Sequence, residues 1–97
     1  MPKFPPDPLA QFALEAKIED HKLEHLRVRK RGDLLIIESG AKSDPIPHIR
    51  LRRVTRQWYT LEIAARTGWE HVPIRARASE LLEMVIHEFP WVLTRIE

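Results

Sequence analysis

The sequence predicts an α+β domain: a five-stranded antiparallel meander sheet flanked by an N-terminal and a C-terminal helix. Apolar residues recur at helical spacing near each end of the chain. Between the ends, apolar and polar residues alternate with a period of two, as they do on strands. Short turns separate the alternating runs, as expected for antiparallel hairpins.

Length and composition indicate one folded domain. The chain has 97 residues, 43% of them hydrophobic and 31% charged. We assign residues 1–7 to an extended proline-rich N-terminus and residues 8–97 to a single domain. The absence of cysteine excludes disulfides, cysteine-ligated metals and thiol catalysis. No apolar run approaches the roughly 18 residues of a membrane span, and no signal-peptide core is present, so a cytoplasmic location without membrane association is expected.

The first helix is predicted from Pro8 to Leu23. Asp7 is suited to cap it, and Pro8 fits its first turn. Its predicted inward stripe comprises Leu9, Phe12, Ala13 and Ala16.

The next segment predicts two strands. Leu26 and Val28 alternate with arginines, and a turn at residues 30–33 contains Gly32. This turn includes the tripeptide Arg-Gly-Asp, which we interpret as turn chemistry alone. The run 34–37 is apolar throughout, so we expect either a helix on each face of the sheet or a second subunit on one. Residues 39–47 are predicted to form a mobile loop.

Three further strands span residues 48–74 and separate two faces. The predicted core face comprises Ile49, Leu51, Tyr59, Leu61, Ile63, Val72 and Ile74. The opposite face comprises Arg50, Arg52, Trp58, Thr60, Glu62, Trp69 and His71. A two-residue loop at Arg66-Thr67 keeps these faces consistent, whereas a three-residue loop with Gly68 in a bulge would mix them; we favour the first.

A second helix is predicted after Ser79, which we assign as its cap. Pro90 is expected to end it. Its apolar stripe comprises Leu81, Leu82, Val85, Ile86 and Phe89. An apolar tail follows and must pack against some surface: Trp91, Val92, Leu93 and Ile96.

One segment resembles a metal motif. His21, Glu24 and His25 have the H-x-x-E-H spacing of inverted zinc proteases. The segment falls where helix gives way to strand, and no clear third ligand follows, so we expect a solvated helix end and no metal.

A basic, tryptophan-bearing sheet face predicts a second kind of site. Aromatic side chains among arginines bind single-stranded nucleic acids by base stacking and phosphate neutralisation. The alternative is that a helix or a partner subunit covers the tryptophans. The candidate nucleic-acid-binding residues are Arg27, Arg29, Arg50, Arg52, Trp58, Trp69 and His71.

Catalysis has little support. The serines lack the glycines of a nucleophile elbow, and three glycines do not form a phosphate-binding loop. We therefore predict a non-catalytic interaction module with no cofactor and no small-molecule substrate. The leading hypothesis is a homodimer formed through Trp91, Val92 and Leu93. Single-stranded nucleic-acid binding is the alternative, and a zinc hydrolase at His21 and His25 is the third.

A resemblance covers roughly the second half of the chain. It is carried by Ile49-Arg50-Leu51-Arg52, Trp58-Tyr59-Thr60-Leu61, Gly68-Trp69-Glu70-His71 and Leu81-Leu82-Glu83. These runs resemble a family of small uncharacterised bacterial proteins with two tryptophan-bearing strands, a short turn and a following helix. Where that family ends in acidic residue, glycine and tryptophan, this chain has Glu88-Phe89-Pro90-Trp91. The resemblance implies the fold and leaves the function open, since the family has no established activity.

Overall fold

The computed structural model describes residues 7–94 and confirms the predicted architecture. The sheet is a five-stranded antiparallel meander in the order β1-β2-β3-β4-β5, with one helix before it and one after it. The elements are α1 (Pro8–Asp20), β1 (Arg27–Arg31), β2 (Leu34–Ala41), β3 (Asp44–Arg53), β4 (Tyr59–Ala65), β5 (Gly68–Ala76), α2 (Ala78–Glu88) and a final 3-10 helix (Pro90–Leu93). Most of the predicted proline-rich N-terminus, together with Ile96, lies outside the described residues.

Helix α1 begins as predicted but buries a different face. The Asp7 carboxylate accepts a hydrogen bond from the backbone N–H of Leu9 at 2.9 Å, which caps the helix. The helix ends at Asp20, three residues early, and Lys22 then adopts a left-handed φ of 57°. Leu14 and Ile18 are buried, whereas Leu9, Phe12 and Ala16 face outwards. The predicted stripe was therefore wrong, because α1 is apolar on two opposite sides and spacing alone does not choose between them.

The predicted loop at residues 39–47 is instead a hairpin. Strands β2 and β3 stay paired up to Ala41 and Asp44, with only Lys42 and Ser43 in the turn. The prolines of β3 are tolerated because β4 begins to pair with β3 only at Ile49, so one edge of this segment needs no ladder hydrogen bonds. The Arg-Gly-Asp segment does form the turn expected, with Gly32 at φ 62°.

The hairpin of β4 and β5 has the favoured register. Leu61 pairs with Val72, Glu62 pairs with His71, and Arg66-Thr67 form a two-residue loop. A bulge between Thr60 and Leu61 shifts the remaining register, so Ile74 is 41% exposed and does not join the predicted core face.

Both helices pack on the same face of the sheet. The core comprises Leu14, Ile18, Leu26, Leu35, Ile37, Ile49, Leu51, Tyr59, Leu61, Ala78, Leu81, Leu82, Val85 and Leu93. Of the two predicted alternatives, a helix on each face is therefore wrong, whereas cover of one face by a second subunit stays a prediction. On the opposite face Ile36 is nevertheless buried, because it lies between Arg29 and Arg50 on the neighbouring strands.

Helix α2 follows the prediction in its apolar stripe and its end, but its cap differs. Arg77 occupies the cap position, and the Glu80 carboxylate accepts a hydrogen bond from its backbone N–H at 3.2 Å. Ser79 lies inside the helix and does not cap it. No helix in residues 7–94 is long and apolar enough to cross a membrane.

Candidate functional site

One face of the sheet, hereafter the open face, is covered by no element among residues 7–94. Its side chains follow from the register of the strands, since every second residue points to the same side. The charged and aromatic residues of the open face are Arg27, Arg29, Arg31, Glu38, Arg50, Arg52, Glu62, Trp69, His71 and Arg75. Six arginines therefore share this face.

Glu38 anchors the arginines of the edge strand β1. Its carboxylate accepts hydrogen bonds from Arg29 Nε at 2.8 Å and from Arg27 Nε at 3.1 Å. Arg27 also donates to the backbone carbonyl of Gly40 at 2.6 Å. The Glu38 side chain is only 2% exposed, so these two arginines are held at fixed positions beside a buried acceptor.

Two more carboxylates hold the arginines of the central strand β3. Arg50 donates to both oxygens of Glu62, at 3.0 and 3.2 Å, in a bidentate arrangement. Arg52 Nη1 donates to Asp33 at 2.9 Å. These pairs fix the guanidinium groups without neutralising the whole face, because Arg31 and Arg75 have no ion pair within the described part of the chain.

Trp69 lies beside this charged network. The guanidinium carbon of Arg50 lies 4.2 Å from the Trp69 ring centroid, within cation–π range. From the sequence, pairing of Leu51 with Tyr59 would place such a contact between Arg52 and Trp58; this prediction is wrong, because Leu51 pairs with Leu61. Arg52 is opposite Thr60, because the β3–β4 register differs from the expected one.

A depression of about 580 Å³ opens on the same face. Leu34, Ile36 and Trp69 contribute large apolar side chains to its lining. Its other lining residues are Arg29, Arg31, Glu38, Pro45, Pro47 and Arg50. Its volume falls in the range of small-molecule and nucleotide pockets, and its lining combines apolar surface with several cationic donors.

The structure brings together most of the predicted nucleic-acid-binding residues. Arg27, Arg29, Arg50, Arg52, Trp69 and His71 all belong to the open face. Trp58 lies just before β4 and is 38% exposed. The sequence reasoning missed Arg31 and Arg75 on this face and the role of Glu38, although the charge pattern of β1 already placed Arg31 in phase with Arg27 and Arg29.

The predicted self-association residues are not equivalent in the structure. Trp91 is 67% exposed, Val92 is half-buried, and Leu93 is buried in the core. Leu93 thus contributes to the fold of its own chain and offers almost no side-chain area to a partner.

The tail is also held by two histidines through backbone carbonyls. His25 Nε2 lies 2.7 Å from the Leu93 carbonyl oxygen, and His48 Nδ1 lies 2.8 Å from that of Val92. Because a carbonyl only accepts, Nδ1 of His48 carries the proton, and its Nε2 lies 2.7 Å from the Ser39 hydroxyl. A serine–histidine pair can serve catalysis, but both side chains are buried, so we interpret this pair as a structural link.

The H-x-x-E-H segment does not hold its histidines on one helical face, because α1 has ended before it. The His21 ring lies 6.3 Å from that of His87, whereas the His25 ring lies 6.4 Å from that of His48. Among residues 7–94, no group of three or more histidines and carboxylates is placed to hold a metal ion.

The buried histidine predicts a pH-dependent stability. Burial lowers the pKa of His48 from its ordinary value of 6.5; the hydrogen bond to Val92 opposes this, and nearby His25 adds to it. Below about pH 6.5 the His48 side chain therefore binds more protons in the unfolded chain than in the folded one. The contribution of His48 to the free energy of unfolding is constant above about pH 6.5. It is lost progressively as the pH falls towards the lowered pKa of the folded state.

We expect the melting temperature of the His48→Gln variant to vary less with pH in this window than that of the unchanged chain. The matched control is His87→Gln, because the His87 side chain is 62% exposed, and it should retain the full dependence. Equal slopes for the unchanged chain and for His48→Gln would show that His48 does not control it.

Comparison with known proteins gives no match: no protein-family model, curated protein or solved structure is similar to this chain. The resemblance to small bacterial proteins therefore stays a prediction, and the open face provides the observations from which a function can be inferred.

Proposed function

We propose that this protein is a non-catalytic interaction module that binds single-stranded nucleic acid on the open face of its sheet. The observation that carries the proposal is an excess of arginine around Trp69 on a face that no described element covers. Six arginines share this face with Glu38 and Glu62, and Asp33 in the adjacent turn also pairs with Arg52, so phosphates would find uncompensated positive charge. A cytoplasmic location, expected from the sequence, stays a prediction.

The geometry supports single strands rather than a duplex groove. A flat antiparallel sheet presents its side chains as a platform, on which unpaired bases can stack and phosphates can contact arginines. The depression beside Trp69 has room for a base, and Arg29 and Arg31 line it. Both helices of residues 7–94 pack on the other face of the sheet, so neither lies on the open face, where it could enter a major groove.

The structure identifies the arginines best suited to a test. Arg50 and Arg52 form ion pairs, so their removal would change stability as well as binding. Arg31 and Arg75 are exposed and form no described ion pair, so their removal should affect binding alone.

We expect Arg31→Ala and Arg75→Ala each to weaken binding of a mixed-sequence single-stranded oligonucleotide at low salt. Each should also reduce the slope of log affinity against log salt by about 0.7, the value for one phosphate contact on a single strand. Trp69→Ala should weaken binding by about 1–3 kcal/mol through lost stacking. Fluorescence anisotropy across a salt series measures all three.

The matched control is Arg66→Ala, which removes the same charge from the turn between β4 and β5. It should leave the affinity close to that of the unchanged chain. An unchanged chain that binds no oligonucleotide at low salt would refute the proposal, and equal losses at Arg31, Arg75 and Arg66 would reduce it to nonspecific charge attraction.

Self-association is a second proposed function, supported by large apolar side chains that are exposed among the described residues. They are Leu9, Phe12, Trp58, Ile74 and Trp91. Of the predicted tail residues, exposed Trp91 and half-buried Val92 stay candidates, whereas Leu93 is buried.

A further inference from the structure

The outer face of α1 carries the two most exposed large apolar side chains among residues 7–94. Leu9 is 74% exposed and Phe12 is 73% exposed. Ala13 and Ala16 continue the same face at spacings of four and seven residues from Leu9. Leu14 and Ile18 meanwhile pack into the core from the other side of the helix. A helix that is apolar on both sides is typical of one enclosed between two packing partners.

The sizes of these side chains are ordered along α1. Large residues, Leu9 and Phe12, occupy its first half, and small ones, Ala13 and Ala16, follow. When two copies lie antiparallel across a two-fold axis between positions 12 and 13, Leu9 faces Ala16 and Phe12 faces Ala13. Large then meets small at every position, which permits close packing. A parallel pair would place Phe12 against Phe12.

The charges around α1 favour the same direction. Its last turn carries exposed Glu19 and Asp20, and the basic residue of that turn, Lys17, pairs with Glu83 of α2. Its first turn lies beside a cavity of about 350 Å³ whose lining includes Arg56, Arg77 and one carboxylate, Asp7, which caps the helix. Antiparallel copies bring the acidic end of each helix towards the basic end of the other, twice per dimer. Complementary charges of this kind fix orientation more than they add affinity.

We propose that the protein forms a two-fold homodimer through antiparallel packing of the outer faces of α1. The inference specifies a surface for the proposed self-association and is independent of nucleic-acid binding, because α1 lies on the other side of the sheet from the open face. A 13-residue helix is about 20 Å long, so one helix pair gives a small interface. The expected affinity is therefore micromolar.

The first test is the mass of the full chain by sedimentation equilibrium at about 100 μM, well above a micromolar dissociation constant. We expect twice the chain mass of 11.4 kDa, and a single chain mass for Phe12→Glu. The matched control is Trp91→Glu, which places the same charge at the other strongly exposed aromatic side chain and should leave the dimer intact. Far-ultraviolet circular dichroism should be unchanged in both variants, since both side chains are exposed.

A second test reads the direction of the pair. The chain has no cysteine, so single cysteines can be introduced without background. Mixing Leu9→Cys chains with Ala16→Cys chains under mild oxidation should yield mainly mixed disulfides. A predominance of Ala16→Cys chains linked to each other would instead indicate a parallel pair and overturn the proposed geometry.

A third test exchanges the charges. Replacing Glu19 and Asp20 by arginine should weaken the dimer at least about tenfold, and adding Arg56→Glu and Arg77→Glu should restore it. A dimer broken by Trp91→Glu but not by Phe12→Glu would move self-association to the tail. A monomeric full chain that dimerises only after deletion of residues 1–6 would show that the chain's own N-terminus covers α1, and a monomer in both cases would refute self-association itself.

Discussion

Replacing Leu61 by alanine is expected to lower the free energy of unfolding by about 2–5 kcal/mol. Leu61 is fully buried at the centre of the sheet, where it is paired with Leu51 on one side and Val72 on the other. Truncation removes most of its apolar surface from the core and leaves a cavity that the flanking strands cannot close. Chemical denaturation followed by circular dichroism measures the loss.

Ile74→Ala is the matched control on the neighbouring strand. Without the bulge in the β4–β5 pairing, regular alternation would place Ile74 in the core on the same face as Leu61. With the bulge, Ile74 is exposed. Its truncation should change stability by no more than about 0.5 kcal/mol. A loss at Ile74 as large as that at Leu61 would contradict the bulge and return Ile74 to the core.

The strands were predictable because one face of each is apolar and the other is charged. A one-residue slip would exchange Leu61 with Glu62, so burial enforces the register that the alternation suggests. The bulge beside Leu61 was not predictable, because alternation gives no signal that Pro73 and Ile74 of β5 lack partners on β4. That is why the sequence placed Ile63 and Val72 correctly near the core but misplaced Ile74.

The face of α1 could not be predicted from spacing, because two apolar stripes compete on one helix. The Leu14 and Ile18 stripe packs against α2 and the sheet, so it is this tertiary packing that selects the buried side of α1. The prediction of a loop from Ser39 to Pro47 was wrong for a different reason. Its glycine and prolines favour a loop, but a strand edge without a neighbour tolerates proline, and that edge is known only once β4 has been placed.

The open face was only partly predictable from the pattern of charged residues along the strands. Alternation placed Arg50, Arg52 and Trp69 together, which the register confirms. The ion pairs could not be predicted from the sequence, since they depend on which strands are adjacent and on a bulge near Glu38. Burial of Glu38 in particular follows from two arginines that converge on it from β1.

Replacing Glu38 by alanine is expected to destabilise the protein by about 2–3 kcal/mol. Breaking a fully buried ion pair costs about 3–5 kcal/mol, because the remaining charge loses its partner without regaining water. The partners of Glu38 retain access to water, since the side chains of Arg27 and Arg29 are 29% and 42% exposed. The cost should therefore lie below that range. Glu70→Ala, which removes an exposed carboxylate from β5, is the control and should change stability by no more than about 0.5 kcal/mol.

Glu38→Gln separates the structural role of this carboxylate from its effect on binding. It keeps the side-chain volume and one acceptor oxygen but removes the negative charge between Arg27 and Arg29. Stability should fall by less than in Glu38→Ala, whereas affinity for a single-stranded oligonucleotide should rise, because the open face gains one unit of net positive charge. Chemical denaturation of this variant measures the change in stability, and fluorescence anisotropy measures the change in affinity. A fall in both would mean that Glu38 shapes the binding surface through Arg27 and Arg29, and that their fixed positions matter more than the net charge of the face.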